Sequence, residues 1–118
     1  MFKLMILLQP EIDQDTFFEG WPGFLKLAEK LPGLRRITTS PVHAHLGGDF
    51  SVLATHELIF DSHEDLELAL SSERGEAMAQ VLQIITGGAV TLLIAAHLEE
   101  GEDRLQTYRD LTGKPGRR

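Results

Sequence analysis

Three residues suited to proton transfer stand in the apolar stretches of this chain at odd-numbered positions: Lys3, Glu57 and His97. A histidine changes its charge near neutral pH. Set beside a carboxylate and an ammonium, it can take and return a proton, or hold a carbonyl or anionic group. Residues of the same parity nearby are Met5, Leu7, Thr55, Thr91 and Leu93, and they would line the space that the trio faces. The other reading of the trio is a salt-bridged rim where a sheet meets solvent. The remaining histidines carry less. His43 and His45 flank one residue beside Gly47-Gly48 and lack the third ligand a metal needs. His56 has the opposite parity and reads as a core histidine, and His63 falls on the exposed side of a helix start. There is no cysteine, which excludes a thiolate nucleophile, a thiolate metal site and a disulfide framework. No serine sits in a G-x-S-x-G context, and the paired glycines are turn signals rather than a phosphate loop. Chemistry at the trio would therefore run without metal or cofactor. A haem would require His97 to reach an open cavity.

Alternating strand-like and helix-like segments must position these residues. Phe2 to Gln9 reads as a strand, stopped by Pro10. A helix capped by Asp13 or Asp15 follows, with Phe17, Trp21, Phe24, Ala28 and Leu31 at helical spacing. Pro22 is expected to kink or restart it, and Pro32-Gly33 ends it. Leu34 to Pro41 is a second strand, Val42 to Asp49 a loop, and Phe50 to Phe60 a third strand. Ser62 and Asp65 form an approximate capping box for a second helix, broken at Ser71-Ser72 and Gly75 and stopped by Gly87-Gly88. Ala89 to Glu99 is the last strand. Residues 1–100 thus form one α+β domain, and 101–118 a polar extension with a short helix expected near Arg104 to Leu111. Strand, helix, two strands, helix, strand is the split β-α-β plait of ferredoxin-like proteins (βαββαβ), an antiparallel sheet of order 4-1-3-2 with both helices on one face.

A sheet covered on one side should alternate apolar and polar residues. The first and last strands are apolar on both faces. The even positions (Leu4, Ile6 and Leu8; Val90, Leu92 and Ile94) are the more apolar set and are assigned to the helices. The odd face, with Met5, Leu7, Leu93 and Ala95, is still too apolar for water. A second copy of the same sheet is the simplest cover, so a C2 homodimer is expected. The net charge is −7, from 18 acidic and 11 basic residues, and four of the basic ones (Arg109, Lys114, Arg117, Arg118) lie in the last ten positions. That balance argues against nucleic acid and anionic membrane surfaces as partners. The apolar run within MFKLMILL is short for a signal peptide, and no run approaches the ~18 apolar residues of a membrane span. The chain is expected to be soluble and cytoplasmic.

Several stretches resemble the EthD-like family: KLMILLQP (Lys3 to Pro10), F-x-x-x-W (Phe17 to Trp21), LPGLRR (Leu31 to Arg36), ELIFDS (Glu57 to Ser62) and SSERGE (Ser71 to Glu76). The resemblance spans Lys3 to Leu98 and implies a dimeric α/β barrel, with two sheets facing a central cavity and Trp21 among its lining residues. Where EthD-like sequences carry a histidine after the tryptophan, this chain has Phe24 or Leu25. Where they carry an aspartate in the second helix, it has Gln80 and Val81. The family's catalytic groups are therefore not carried over. The reading is a small-molecule-binding barrel that takes an apolar or aromatic compound, with cofactor-free proton transfer by Glu57, His97 and Lys3. The alternatives are a cofactor-independent monooxygenase or isomerase of aromatic or lactone compounds, and a non-catalytic assembly module with a filled lumen.

Overall fold

Apolar residues at every second place of the first strand set the layers. In the computed structural model, which describes residues 1–99, β1 is Phe2–Leu8. Its Leu4, Ile6 and Leu8 are buried in the core, while Lys3, Met5 and Leu7 between them are only half-buried. The later elements are α1 (Gln14–Glu29), β2 (Leu34–Pro41), β3 (Ala54–Phe60), α2 (His63–Ser71), α3 (Glu73–Thr86) and β4 (Val90–Ala96). The sheet order is β2-β3-β1-β4, with every neighbouring pair antiparallel. This is the ferredoxin-like plait with its second helix in two pieces. Phe17, Phe24 and Ala28 of α1, Leu66 and Ala69 of α2, and Met78, Leu82 and Ile85 of α3 close on Leu4, Ile6, Leu8, Leu58 and Phe60. Each large side chain removed from water there contributes about 1.5–3 kcal/mol.

Local chemistry explains the joints. Ser62 Oγ accepts the Asp65 amide at 3.1 Å and starts α2, and Ser72 Oγ accepts the Gly75 amide at 3.1 Å and starts α3. A side chain at Gly75 would run into the carbonyls of Ala69 and Leu70, so the break between the two helices needs glycine there. Gly87, in the left-handed region at φ 60°, caps α3.

Four expectations need correction. Pro22 does not restart the helix: α1 runs unbroken through it, because Pro22 lies on the exposed side while Phe17, Trp21 and Phe24 stack along the inner side. β3 begins at Ala54 rather than Phe50. Its partner β2 ends at Pro41, which pairs with Ala54, and one further bond, from the Val42 amide to the Leu53 carbonyl, runs before the two chains part. β4 ends at Ala96 rather than Glu99 because β1, its partner, begins at Phe2, leaving one further bond from the His97 amide to the Met1 carbonyl. Finally, the even face of β4 lies on the helix side, but beyond Val90, which packs on the core, the helices do not cover it. Leu92 is 49% and Ile94 48% exposed, since the helical layer sits over β1 and β3. The expected helix near Arg104 to Leu111 lies outside the described residues.

Candidate functional site

Two surfaces of the sheet collect polar chemistry, one on each side. On the open side, the register sets Lys3 diagonally across from Glu57 and places Thr38 opposite Glu57. Lys3 Nζ lies 3.0 Å from Glu57 Oε2, and the Thr38 hydroxyl donates to Glu57 Oε1 at 3.3 Å. The two ionic side chains are 17% and 19% exposed. His97 does not join them. Its Nε2 meets Glu99 Oε2 at 2.8 Å, and Glu99 in turn lies 3.9 Å from the Arg36 guanidinium. The bond from His97, and then its charge, hold the Glu99 carboxyl below the ordinary carboxylate range. The expected trio is thus two clusters, because the chain turns beyond Ala96 and brings a nearer carboxylate to the imidazole. Met5, Leu7, Thr55 and Thr91 are half-buried on this side and Leu93 is exposed. Thr91 also accepts a hydrogen bond from the Gln9 amide group at 2.9 Å.

On the helix side, a cleft of about 350 Å³ opens between α1, the ends of β2 and β3, and the loop between those strands. Its wall includes Leu8, Phe17, Trp21, Thr39, Leu53 and His56, with Gln14 at α1's first residue, and no charged side chain lines it. Trp21 is stacked between Phe17 and Phe24, with ring centres 4.9 and 4.7 Å away, and the His56 ring lies 4.3 Å from it. Pairing of Thr39 with His56 in the ladder puts the Thr39 hydroxyl 2.9 Å from His56 Nδ1. His56 is 5% exposed, and burial holds its pKa below the ordinary histidine value, so the ring is neutral at pH 7. Among the described residues, no side-chain polar atom is both fully buried and without a partner. With Nδ1 taken by Thr39, Nε2 is therefore the His56 atom that opens on the cleft.

Trp21 therefore does not share a face with Thr55, Thr91, Met5, Leu7 and Leu93. It belongs to α1, which covers the opposite side of the sheet. His56, read as a core histidine, is buried and hydrogen-bonded as such a residue should be, yet it also faces the cleft. Its even parity already placed it between the sheet and α1, the layer that holds Trp21. What the sequence concealed was the gap left at the end of β2. The other histidines bind less to the fold. His45 Nε2 accepts the Val52 amide at 3.1 Å, and His63 lies 3.3 Å from Glu67 on the α2 surface. Among the described residues, no group of three or more His, Cys, Asp or Glu side chains is placed to hold a metal. No described helix is long and apolar enough to cross a membrane.

No family model and no curated protein sequence matches the chain. Solved structures do. An EthD family protein from Bacillus halodurans C-125 is 26% identical with a TM-score of 0.73, covering 83% of this chain and 99% of its own. A dimeric ferredoxin-like protein of unknown function from Jannaschia sp. CCS1 is 15% identical, TM-score 0.62, covering 81% and 98%. A putative antibiotic biosynthesis monooxygenase from Caulobacter crescentus CB15 is 15% identical, TM-score 0.60, covering 83% and 90%.

Proposed function

We propose that this chain, EthD-like in a dimeric ferredoxin-like fold, binds a small, uncharged, planar organic molecule in the cleft of Trp21 and His56. His56 carries the reading. An imidazole packed at a tilt against an indole, with one nitrogen held by Thr39 and the other open on an apolar cleft, is a single directed polar contact in a site that otherwise rewards aromatic surface. The lining supplies no countercharge, so an ionic ligand would lose its hydration without compensation. Thr39 Oγ1 both donates and accepts, so it satisfies either tautomer of the ring. With Nδ1–H donating to Thr39, Nε2 is a base. With Thr39 donating to Nδ1, Nε2–H is a donor. A proton taken from a phenol or from carbon beside a carbonyl, and returned elsewhere, requires no cofactor. It is also the opening step that an isomerase or a cofactor-independent monooxygenase of aromatic or lactone compounds would share. The apolar open face supports a homodimer as the working form, and the sequence reading of a cytoplasmic protein belongs to the same proposal.

Calorimetric titration with 2-naphthol and with 2-naphthoate tests it. The neutral compound is expected to bind saturably, the carboxylate at least tenfold more weakly, and His56→Gln to lose about tenfold, the size of one hydrogen bond. Equal binding of both compounds, or no effect of His56→Gln, overturns the cleft. A second reading places the ligand on the open face, with Lys3, Glu57 and His97 as the acting groups. The mostly shielded Lys3–Glu57 pair favours it. There, Glu57→Gln rather than His56→Gln would abolish binding. A dimer that binds neither compound would support the assembly module instead.

A further inference from the structure

Between β2 and β3 the chain runs as an exposed loop, 43–51, and both of its stems belong to the cleft. Pro41 and Val42 on one side, and Leu53 and Ala54 on the other, line the wall beside His56. The stems are pinned. The Val42 amide donates to the Leu53 carbonyl at 3.0 Å, and the Leu53 amide to the Leu8 carbonyl at 2.7 Å. Past the bond from the Val52 amide to His45, residues 46–51 make no hydrogen bond among the described residues. The loop nevertheless carries large apolar side chains: Leu46 is fully exposed and Phe50 is 55% exposed. Phe18 of α1, 63% exposed, faces the same cleft. Gly47 and Gly48 stand between Leu46 and Phe50. A Cβ at either would meet nothing within 4 Å, so packing does not call for glycine there, and Gly48 sits in the left-handed region at φ 88°. The arm from Asp49 to Ser51 stands off Gln9 and Glu11 across a gap of about 280 Å³, and those two residues adjoin Leu8 and Ile12 of the cleft in sequence. The arm has room to move without displacing a packed core side chain.

We propose, on the premise that the cleft of Trp21 and His56 binds the ligand, that residues 43–51 are the lid of that site, folding over its mouth so that Leu46 and Phe50 meet Phe18. Length permits it. Residues 43–46 reach ~13 Å when extended, against the ~7 Å edge of a cube of the cleft's volume. Apolar side chains standing in water on two sides of an apolar cleft lose exposed surface by meeting, and that gain needs no exact partner geometry. A closed lid also shields His56 Nε2 from water, which strengthens the one directed hydrogen bond the cleft offers. A segment with pinned stems, few bonds of its own and two glycines opens at low cost, as a movable closure must. The end of the ligand away from His56 then meets Leu46, Phe50 and Phe18, so that end is apolar.

The absence of cysteine allows a direct test in the full-length chain. Leu46→Cys or Phe50→Cys, each joined to Phe18→Cys, is oxidised mildly and read on non-reducing gels and by peptide mass. At least one pair is expected to form an intrachain disulfide in most molecules. Glu29→Cys, at the far end of α1, should form none with the same loop positions. No disulfide from either pair, interchain disulfides in place of intrachain ones, or equal crosslinking from Glu29→Cys overturns the lid, whatever the cleft binds. Release of 2-naphthol is then followed by stopped flow through the emission of Trp21, the single tryptophan of the chain. Leu46→Ser/Phe50→Ser, which changes only exposed side chains, is expected to release the compound at least tenfold faster than the unaltered chain. If 2-naphthol binds and His56→Gln weakens it, yet the double serine variant releases it at the unaltered rate, the lid is wrong and the cleft stands. If 2-naphthol does not bind the unaltered chain, the cleft fails and the lid falls with it.

Discussion

His56 is the residue on which the cleft's properties turn, and its neighbours make its behaviour measurable. Burial lowers its pKa, so the folded chain resists a proton that the unfolded chain accepts. The sign follows from that difference. Above about pH 6.5, the ordinary value of a solvated histidine, both states are neutral and the group leaves stability unchanged. As pH falls below that value, the unfolded state gains protons first and stability declines, until the folded state's lower pKa is passed. Urea titrations between pH 7.5 and 5 should show this decline, and His56→Gln should flatten the part of it due to this group. Thr39→Val keeps the side chain's shape and removes the partner of Nδ1. A loss of about 1 kcal/mol in the same assay is expected, the usual worth of a neutral hydrogen bond. Parity alone assigned His56 to the helix side. That its second nitrogen meets open space depends on where β2 ends and where the loop runs, and neither is written in the spacing of apolar residues.

Between elements, the close approach of α1 and α3 rests on Gly20, where a Cβ would strike the Ile85 side chain. Gly20→Ala is therefore expected to destabilise by about 1–3 kcal/mol, as overpacked cores do, and thermal unfolding would register it as a lower Tm. Ser72→Ala removes the cap of α3 and should cost about 1 kcal/mol. Caps of this kind were readable, as were the bounds of β2 and the stop at Gly87, because each depends on residues within a turn of itself. The ends of β3 and β4 were not, since a strand stops where its partner stops. The end of β2 at Pro41 marks the first and the start of β1 at Phe2 the second. Pro22 misled for a related reason: an exposed proline costs its helix one hydrogen bond, and a stack of three aromatic rings on the buried side outweighs that loss.

For the whole molecule, the two-sided apolar pattern of β1 and β4 is the clearest signal in the chain, and it points to a partner surface. Leu93→Lys or Met5→Lys would put a charge in the middle of the open face. If two copies meet there, either change should yield monomers by analytical ultracentrifugation with the fold's circular dichroism retained. The same pattern could not say which face held the chemistry. Both faces offered a histidine, and the choice turned on Glu99 drawing His97 aside and Thr39 fixing His56. The order β2-β3-β1-β4 bears on how the chain reaches this state. β1, the first described strand, is an inner strand, and one of its two neighbours is β4, the last described strand. A vectorially synthesised chain must therefore hold an apolar strand unpaired on one edge until the roughly eighty residues between β1 and β4 have emerged. Pairings so distant in sequence slow folding and leave the nascent chain open to association. Demand for a chaperone during synthesis should exceed what a chain of this size ordinarily needs.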